Sequence, residues 1–190
     1  MCIFPAPSAA IADRQLLIAD GHHRYETALA YHEEVGTPES GRMLVVLVST
    51  EDPGLEIFPT HRVFGTERRL EGEREPVASA EEGLARLAEL PHDPPALVEV
   101  TQAGAAIVRG EPGKLDVEVV DALGHDGIAY TPDAAEAIRR VREGEAAVAF
   151  LMRPTRIEDV FAVARRGDVM PQKSTYFFPK LLSGLLFHPL

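Results

Sequence analysis

Residues 18–29 read IADGHHRYETAL, and the reading of this stretch decides what kind of fold the chain can have. The residues before it, QLLIAD (15–20), are an apolar run that predicts a strand ending at Asp20-Gly21. The residues after it predict a helix from His23 to Val35. Tyr25, Leu29 and His32 share a face at the spacing i, i+4, i+7, and Gly36 and Pro38 stop the helix. A strand feeding directly into a helix means that sheet and helix are combined in one fold.

The rest of the chain extends this pattern. RMLVVLVST (42–50) is a nearly continuous apolar run, which predicts a strand buried on both faces. EDPG (51–54) is a turn, and LEIFPTHRVF (55–64) is extended, with Pro59 breaking its centre. Residues 65–78 are charged and unpatterned and read as a solvated loop. SAEEGLARLAEL (79–90) is a helix with Ser79 as N-cap and Glu82 three residues on. ALVEVT (96–101) and AAIVRG (105–110) read as a hairpin, and 115–124 fits either a helix or a strand. Helices are expected over 133–143, after Pro132, and over 156–167, closed by Gly167. Strands are expected at GIAYT (127–131), at AAVAFLM (146–152) and, last, at LSGLLF (182–187), with 169–180 irregular. Strands and helices alternate without a strict βα repeat, so the expected class is α+β (mixed α/β): one domain over 1–190, a mixed sheet packed by three to four helices. Residues 1–10, with Pro5 and Pro7, are expected to be disordered.

Composition narrows the function. The chain has 190 residues, 45% of them apolar, and a formal net charge of −11. So acidic a chain is a poor nucleic-acid coat, because such binding depends on lysine and arginine neutralising phosphates. No apolar run reaches the ~20 residues that span a bilayer. One cysteine, Cys2, excludes a disulfide framework and a cysteine zinc site, which points to the cytoplasm.

The cluster Asp20-Gly21-His22-His23-Arg24 falls where a strand would turn into a helix. The first turn of a helix exposes unpaired N–H groups and partial positive charge, so a phosphate is well placed there. Gly21 removes the Cβ that would block a close approach, Arg24 offers a two-pronged donor, and His22 and His23 titrate near neutrality. Asp20 would repel a phosphate unless it held Mg2+ or oriented a histidine. Glu26, on the first turn, is a candidate general base, and Asp20 and His23 are the other candidate catalytic groups. A metal site of His22, His23 and Glu26 lacks a third ligand at a recognised spacing. The bland alternative is a capping aspartate, a surface arginine and a core histidine.

Two further motifs carry polar groups. PTHR (59–62) offers Thr60, His61 and Arg62, either as a ligand loop or as a surface turn. MPQKSTYFFPK (170–180) offers Lys173 as a point charge for phosphate, with Ser174 and Thr175 beside it. Neither has the spacing of a P-loop, and there is no G-x-S-x-G.

ADGHHRYETAL, PTHR and MPQKSTYFFPK together resemble, in order, the signature segments of the domain of unknown function 1015 family, over residues 11–190. Members of that family are about twice this long, so the chain resembles their C-terminal half. The G-H-H-R loop alone is similar to the phosphate loop of the ParB/sulfiredoxin superfamily, which includes a free-serine kinase. That likeness implies a ParB/sulfiredoxin-like arrangement around the first strand, loop and helix. It also implies ATP or ADP with Mg2+ as cofactors and phosphoryl transfer to a small hydroxyl metabolite such as serine. Gly21, His23 and Arg24 would then contact phosphates, with Asp20 or Glu26 as the acidic partner; His22 and Lys173 are candidate phosphate contacts on their own chemistry. The expected partner is a small molecule or nucleotide, not nucleic acid or membrane. A non-catalytic anion-binding, regulatory or structural domain is the alternative.

Overall fold

The computed structural model describes residues 11, 13, 14 and 16–180. The expectations for 1–10 and for a strand at 182–187 lie outside these residues. The described residues divide into two compact units, one over residues 11–48 and one over Ser49–Lys180.

In the first unit, helix α1 (His22–Val35) forms where the sequence placed it, beginning one residue earlier. Gly21 and Gly36 bracket it, both left-handed, with φ of 87° and 69°. The Gly36 N–H donates to the His32 carbonyl at 2.8 Å, closing the last turn. The following turn is held by buried Ser40, whose hydroxyl donates to the Thr37 carbonyl at 2.8 Å. That hydroxyl proton is therefore committed, so the His32 ring must donate its Nδ1–H to Ser40 Oγ at 2.9 Å.

Two strand expectations fail in this unit. Residues 16–19 and 42–48 carry no strand, and the apolar run is exposed rather than buried on both faces, with Val45 at 58%. A run of this kind becomes a doubly buried strand only when strands flank both edges and layers cover both faces. No strand of either sheet pairs with it among the described residues. None of the residues of α1 is buried either.

The second unit holds a six-stranded sheet. Its strands are β2 (His61–Phe64), β3 (Glu73–Val77), β4 (Ala96–Thr101), β5 (Gly104–Arg109), β6 (Ile128–Thr131) and β7 (Val148–Leu151), in the order β3-β5-β4-β7-β2-β6. Every pairing is antiparallel. A second small sheet pairs β1 (Glu56–Phe58) with β8 (Tyr176–Phe178), the latter inside a segment expected to be irregular. The class is thus α+β, as expected, with the sheet antiparallel throughout.

Strand alternation sorts the core into two layers. Val63, Val98, Ile107, Ala149 and Leu151 face one way and pack with α2 (Ala80–Glu89) and α4 (Ala134–Arg142) through Leu87, Ile138 and Val141. Phe64, Leu97, Val108, Val148 and Phe150 face the other way and pack with α3 (Asp116–Asp121) through Val117 and Val120. The ambiguous 115–124 segment is therefore helical, because its valines complete this second layer. Helix α5 (Ile157–Arg165) buries Val160 and Val163. Caps follow the sequence closely. Ser79 accepts from the Glu82 N–H at 3.1 Å, while the Glu82 carboxylate accepts from the Ala78 N–H at 3.0 Å. Asp133, rather than Pro132, caps α4 by accepting from the Ala135 N–H.

Strand β3 corrects the reading of 65–78 as a solvated loop. Two of its charges, Arg74 and Glu75, are paired with residues of neighbouring elements, while Glu73 is exposed. Arg74 meets Glu99 at 3.1 Å, and Glu75 takes both Arg109 and Arg86. Pro76 is tolerated because β3 is an edge strand.

Candidate functional site

The G-H-H-R loop lies in the first unit. Gly21, with φ 87° and ψ 30°, directly precedes α1, and its carbonyl accepts the Tyr25 N–H at 3.0 Å. An L-residue is strained at that backbone angle. A Cβ there would also fall 2.8 Å from Arg24 Nη2 and 2.9 Å from Nε. The Arg24 guanidinium therefore folds back over the loop, in the space that a side chain at 21 would occupy. Arg24 Nη2 stands 4.0 Å from Asp20 Oδ2, both groups being exposed. An exposed pair at that distance is weak and leaves Arg24 available to a stronger anion.

Beside the loop is an open cavity of about 490 Å3, lined by His23, Arg24, Thr27, Ala28, Tyr31, Ser40 and Arg42. Of the residues read from sequence, His23 and Arg24 line it; Asp20, Gly21, His22 and Glu26 do not. Glu26 lies beyond the first turn of α1, which contains no acidic residue. Thr27, Ala28 and Tyr31 were missed, yet helical periodicity carried the signal. Positions 23, 27 and 31 and positions 24, 28 and 31 share one face of a helix. Arg42 had no such signal, since it opens a run read as buried strand.

The other two motifs meet within the second unit. The PTHR segment is no surface turn: Thr60, His61 and Arg62 are buried. Met152 N–H donates to His61 Nδ1 at 3.1 Å, so the ring proton sits on Nε2. Burial, helped by the neighbouring Arg62 charge, pushes the His61 pKa down to about 4, so the ring is neutral at pH 7. The Arg62 guanidinium donates to the Thr60 carbonyl at 2.5 Å, to Met152 Sδ at 3.0 Å and to the Gln172 carbonyl at 3.3 Å. It also lies 5.6 Å from the Tyr130 ring centroid. Ser174 is buried, donating to the Pro171 carbonyl at 2.5 Å, and its own carbonyl accepts from Thr155 Oγ1 at 2.7 Å. Thr175 is half-buried. Lys173, exposed and left-handed at φ 56°, is held at the tip of this braced loop.

A buried clamp escaped the sequence reading. Arg153 donates from Nε and Nη2 to the two Asp116 carboxylate oxygens, each at 2.9 Å. Its Nη1 donates to the Leu90 and Pro91 carbonyls. Among the described residues no group of three or more His, Cys, Asp or Glu is placed to hold a metal ion. No helix among them is long and apolar enough to cross a membrane.

An α+β chain with an open cavity along its first helix, whose lining includes two arginines and a histidine, is what these features define. Residues 6–110 match the family described as Protein of unknown function (DUF1015), and the chain belongs to that family. No curated protein matches it. Among solved structures, the chain is similar to a free serine kinase in complex with AMP, at 18% identity and a TM-score of 0.55. That similarity covers 84% of this chain and 66% of the kinase, so the chain spans less than two thirds of the kinase's length. A variant of a free serine kinase in complex with ADP gives 19% identity and a TM-score of 0.53, over 84% of this chain and 66% of that one. A conserved hypothetical protein from Pyrococcus furiosus gives 18% and 0.50, over 84% and 68%. At such identities the likeness establishes the fold.

Proposed function

We propose that the chain binds a nucleotide in the cavity at the head of α1 and transfers its terminal phosphate to a small hydroxyl metabolite. The observation that carries this is the Arg24 guanidinium folded over Gly21, on the rim of a cavity of about 490 Å3. The bound nucleotides of the free serine kinases, whose fold this chain shares, support it.

In this reading the phosphates lie against the N-terminal turn of α1. His23 and Arg24, which line the cavity, contribute side-chain donors, and the backbone N–H groups of Gly21 and His22 at the head of α1 are further candidates outside its lining. The substrate oxygen attacks the terminal phosphorus of ATP or ADP. The bond from that phosphorus to the bridging oxygen breaks, leaving ADP or AMP, and the hydroxyl proton passes to a base. His23 is the titratable group that lines the cavity; Glu26 and Asp20 are the acidic alternatives. Asp20 suits Mg2+, which characteristically takes one or two carboxylates with phosphates and water, and which supplies charge neutralisation when bound. Lys173 is a separate candidate for an anion contact, in the second unit.

One observation favours binding without catalysis: no carboxylate lines the cavity. The two readings part in one experiment. Thermal melting with ATP, ADP or phosphate, with and without Mg2+, gives a rise of about 2.7 kcal/mol in stability at 100 times the Kd under both. Nucleotide is consumed on adding hydroxyl substrates, serine first, under the kinase reading alone. Arg24→Ala should abolish the thermal shift; a shift that survives it removes the site from consideration.

A further inference from the structure

We propose that Tyr130 is an acyl-acceptor tyrosine: with His125 as its general base and Asp121 holding that histidine, its hydroxyl takes an acyl group from an activated donor such as an ester or thioester. The site lies in the second unit and is independent of the nucleotide reading. Its three groups form one chain of contacts. His125 Nδ1 is 3.1 Å from the Tyr130 hydroxyl. Asp121 Oδ1 stands 3.3 Å from Nε2, the other nitrogen of the same ring. The carboxylate charge favours the ring proton on Nε2, which leaves Nδ1 to accept from the tyrosine O–H. A nucleophile within reach of a base, and a base oriented by a third group, is the arrangement that activates a hydroxyl.

The fold supplies each member from a fixed element. Asp121 ends α3. The chain then turns through Gly124 and Gly127, both left-handed at φ 79° and 69°, and His125 sits between them. The Gly124 N–H donates to the Asp121 carbonyl at 3.0 Å and the Ile128 N–H to the His125 carbonyl at 3.3 Å, which fixes the turn. Tyr130 lies on the edge strand β6, opposite Arg62 of β2. Burial raises the Tyr130 pKa above its ordinary value, with the Arg62 charge opposing the rise and Asp121 adding to it. The hydroxyl therefore keeps its proton at pH 7 and depends on a base to lose it. In the step, Tyr130 Oη attacks the acyl carbonyl carbon and its proton passes to His125 Nδ1. The bond from that carbon to the leaving oxygen, sulfur or nitrogen breaks, and the leaving group departs with the proton. The acyl group stays on Oη as an aryl ester. Asp121 beside the ring would repel an anionic phosphate donor, so a neutral carbonyl suits the site.

The test is a competition among the tyrosines of the full chain. N-acetylimidazole, an activated acyl donor, is added at less than one equivalent at pH 7, and the acetylated tyrosine is identified by peptide mass mapping. The chain has four tyrosines. Tyr25, Tyr31 and Tyr176 are more exposed than Tyr130, at 44%, 37% and 36%, and their hydroxyls have no hydrogen-bond partner among the described residues. Access alone therefore ranks Tyr130 last, whereas the contact with His125 ranks it first, by at least tenfold. His125→Gln should lower the rate at Tyr130 at least tenfold and leave the other three within twofold. Asp121→Asn should lower it about threefold, and Asp121→Glu, which keeps the carboxylate, should recover part of that loss. Circular dichroism should show the His125 variant folded, since that side chain is 46% exposed. A Tyr130 that reacts no faster than the three exposed tyrosines overturns the inference in the wild type alone, whatever the variants do. An unchanged Tyr130 rate in His125→Gln overturns it as well, because the hydroxyl would then react without its base.

Discussion

Arg62 donates through Nη2 to the Gln172 carbonyl at 3.3 Å, so the strand that carries the PTHR motif holds the loop that carries the Q-K-S-T motif, 110 residues away in sequence. Two segments that looked like separate ligand loops are one braced assembly. Burial holds the Arg62 pKa below its ordinary value, with no carboxylate in ion-pair contact among the described residues; the carbonyls, the Met152 sulfur and the Tyr130 ring take the place of a counter-charge.

Replacing Arg62 with Met should therefore destabilise the second unit by about 2 kcal/mol, the usual cost of leaving buried acceptors unpaired. Urea unfolding at pH 7 measures it. The loop around Lys173 should also become more open to limited proteolysis, because its tie to the sheet is gone. An unchanged urea midpoint would show that the brace contributes nothing.

His61 makes the stability depend on pH with a defined sign. Its folded pKa is about 4, below the ordinary 6.5 expected when unfolded. Between those values the unfolded chain binds the proton and the folded chain does not. The contribution is fully present above pH 6.5 and is lost as the pH falls towards 4. The difference corresponds to roughly 3 kcal/mol. Urea midpoints measured from pH 7 to pH 4.5 should fall steeply in the wild type and less steeply in His61→Gln. Parallel slopes would exclude His61 as the source.

The hairpin, the Ser79 cap of α2 and the helix after Gly21 could be read locally, because each depends on neighbours within a few residues. Strand β3 could not. Arg74 and Glu75 look solvated until Glu99, Arg109 and Arg86 are brought to them. The run 42–50 failed for the converse reason: β propensity supplies a strand's composition but not the strands beside it. At the candidate site, Gly21, His23 and Arg24 were legible as a motif. Arg42 became visible only when the chain turned back past Ser40 to the cavity.

Gly21→Ala should weaken ADP binding more than it weakens the fold. The new Cβ would meet Arg24 Nη2 at 2.8 Å, and the flexible guanidinium must swing away. Holding alanine at φ 87° costs about 1–2 kcal/mol, a moderate loss for the helix start. ADP titration should show at least a tenfold loss, with the α-helical signal near that of the wild type. Wild-type affinity in this variant would show that the folded-back position of Arg24 is not the binding one.

The Asp116–Arg153 pair is the strongest candidate for a single-residue weakness in the second unit. Both side chains are nearly inaccessible, at 12% and 5% exposure, and Asp116 Oδ1 also accepts the Ala96 N–H at 3.0 Å at the start of β4. Removing one partner of such a pair leaves a buried charge uncompensated, at a cost of about 3–5 kcal/mol. Asp116→Ala should reach that range, because it strands both the guanidinium and the β4 N–H. Arg153→Met should cost less, because the Asp116 carboxylate keeps the Ala96 N–H and lies nearer to solvent. In the double variant the loss should be smaller than the sum of the two, since the second substitution removes the charge that the first left unpaired. Denaturant unfolding of the four proteins measures the coupling. Additive losses would mean that the two groups act independently despite their bidentate geometry.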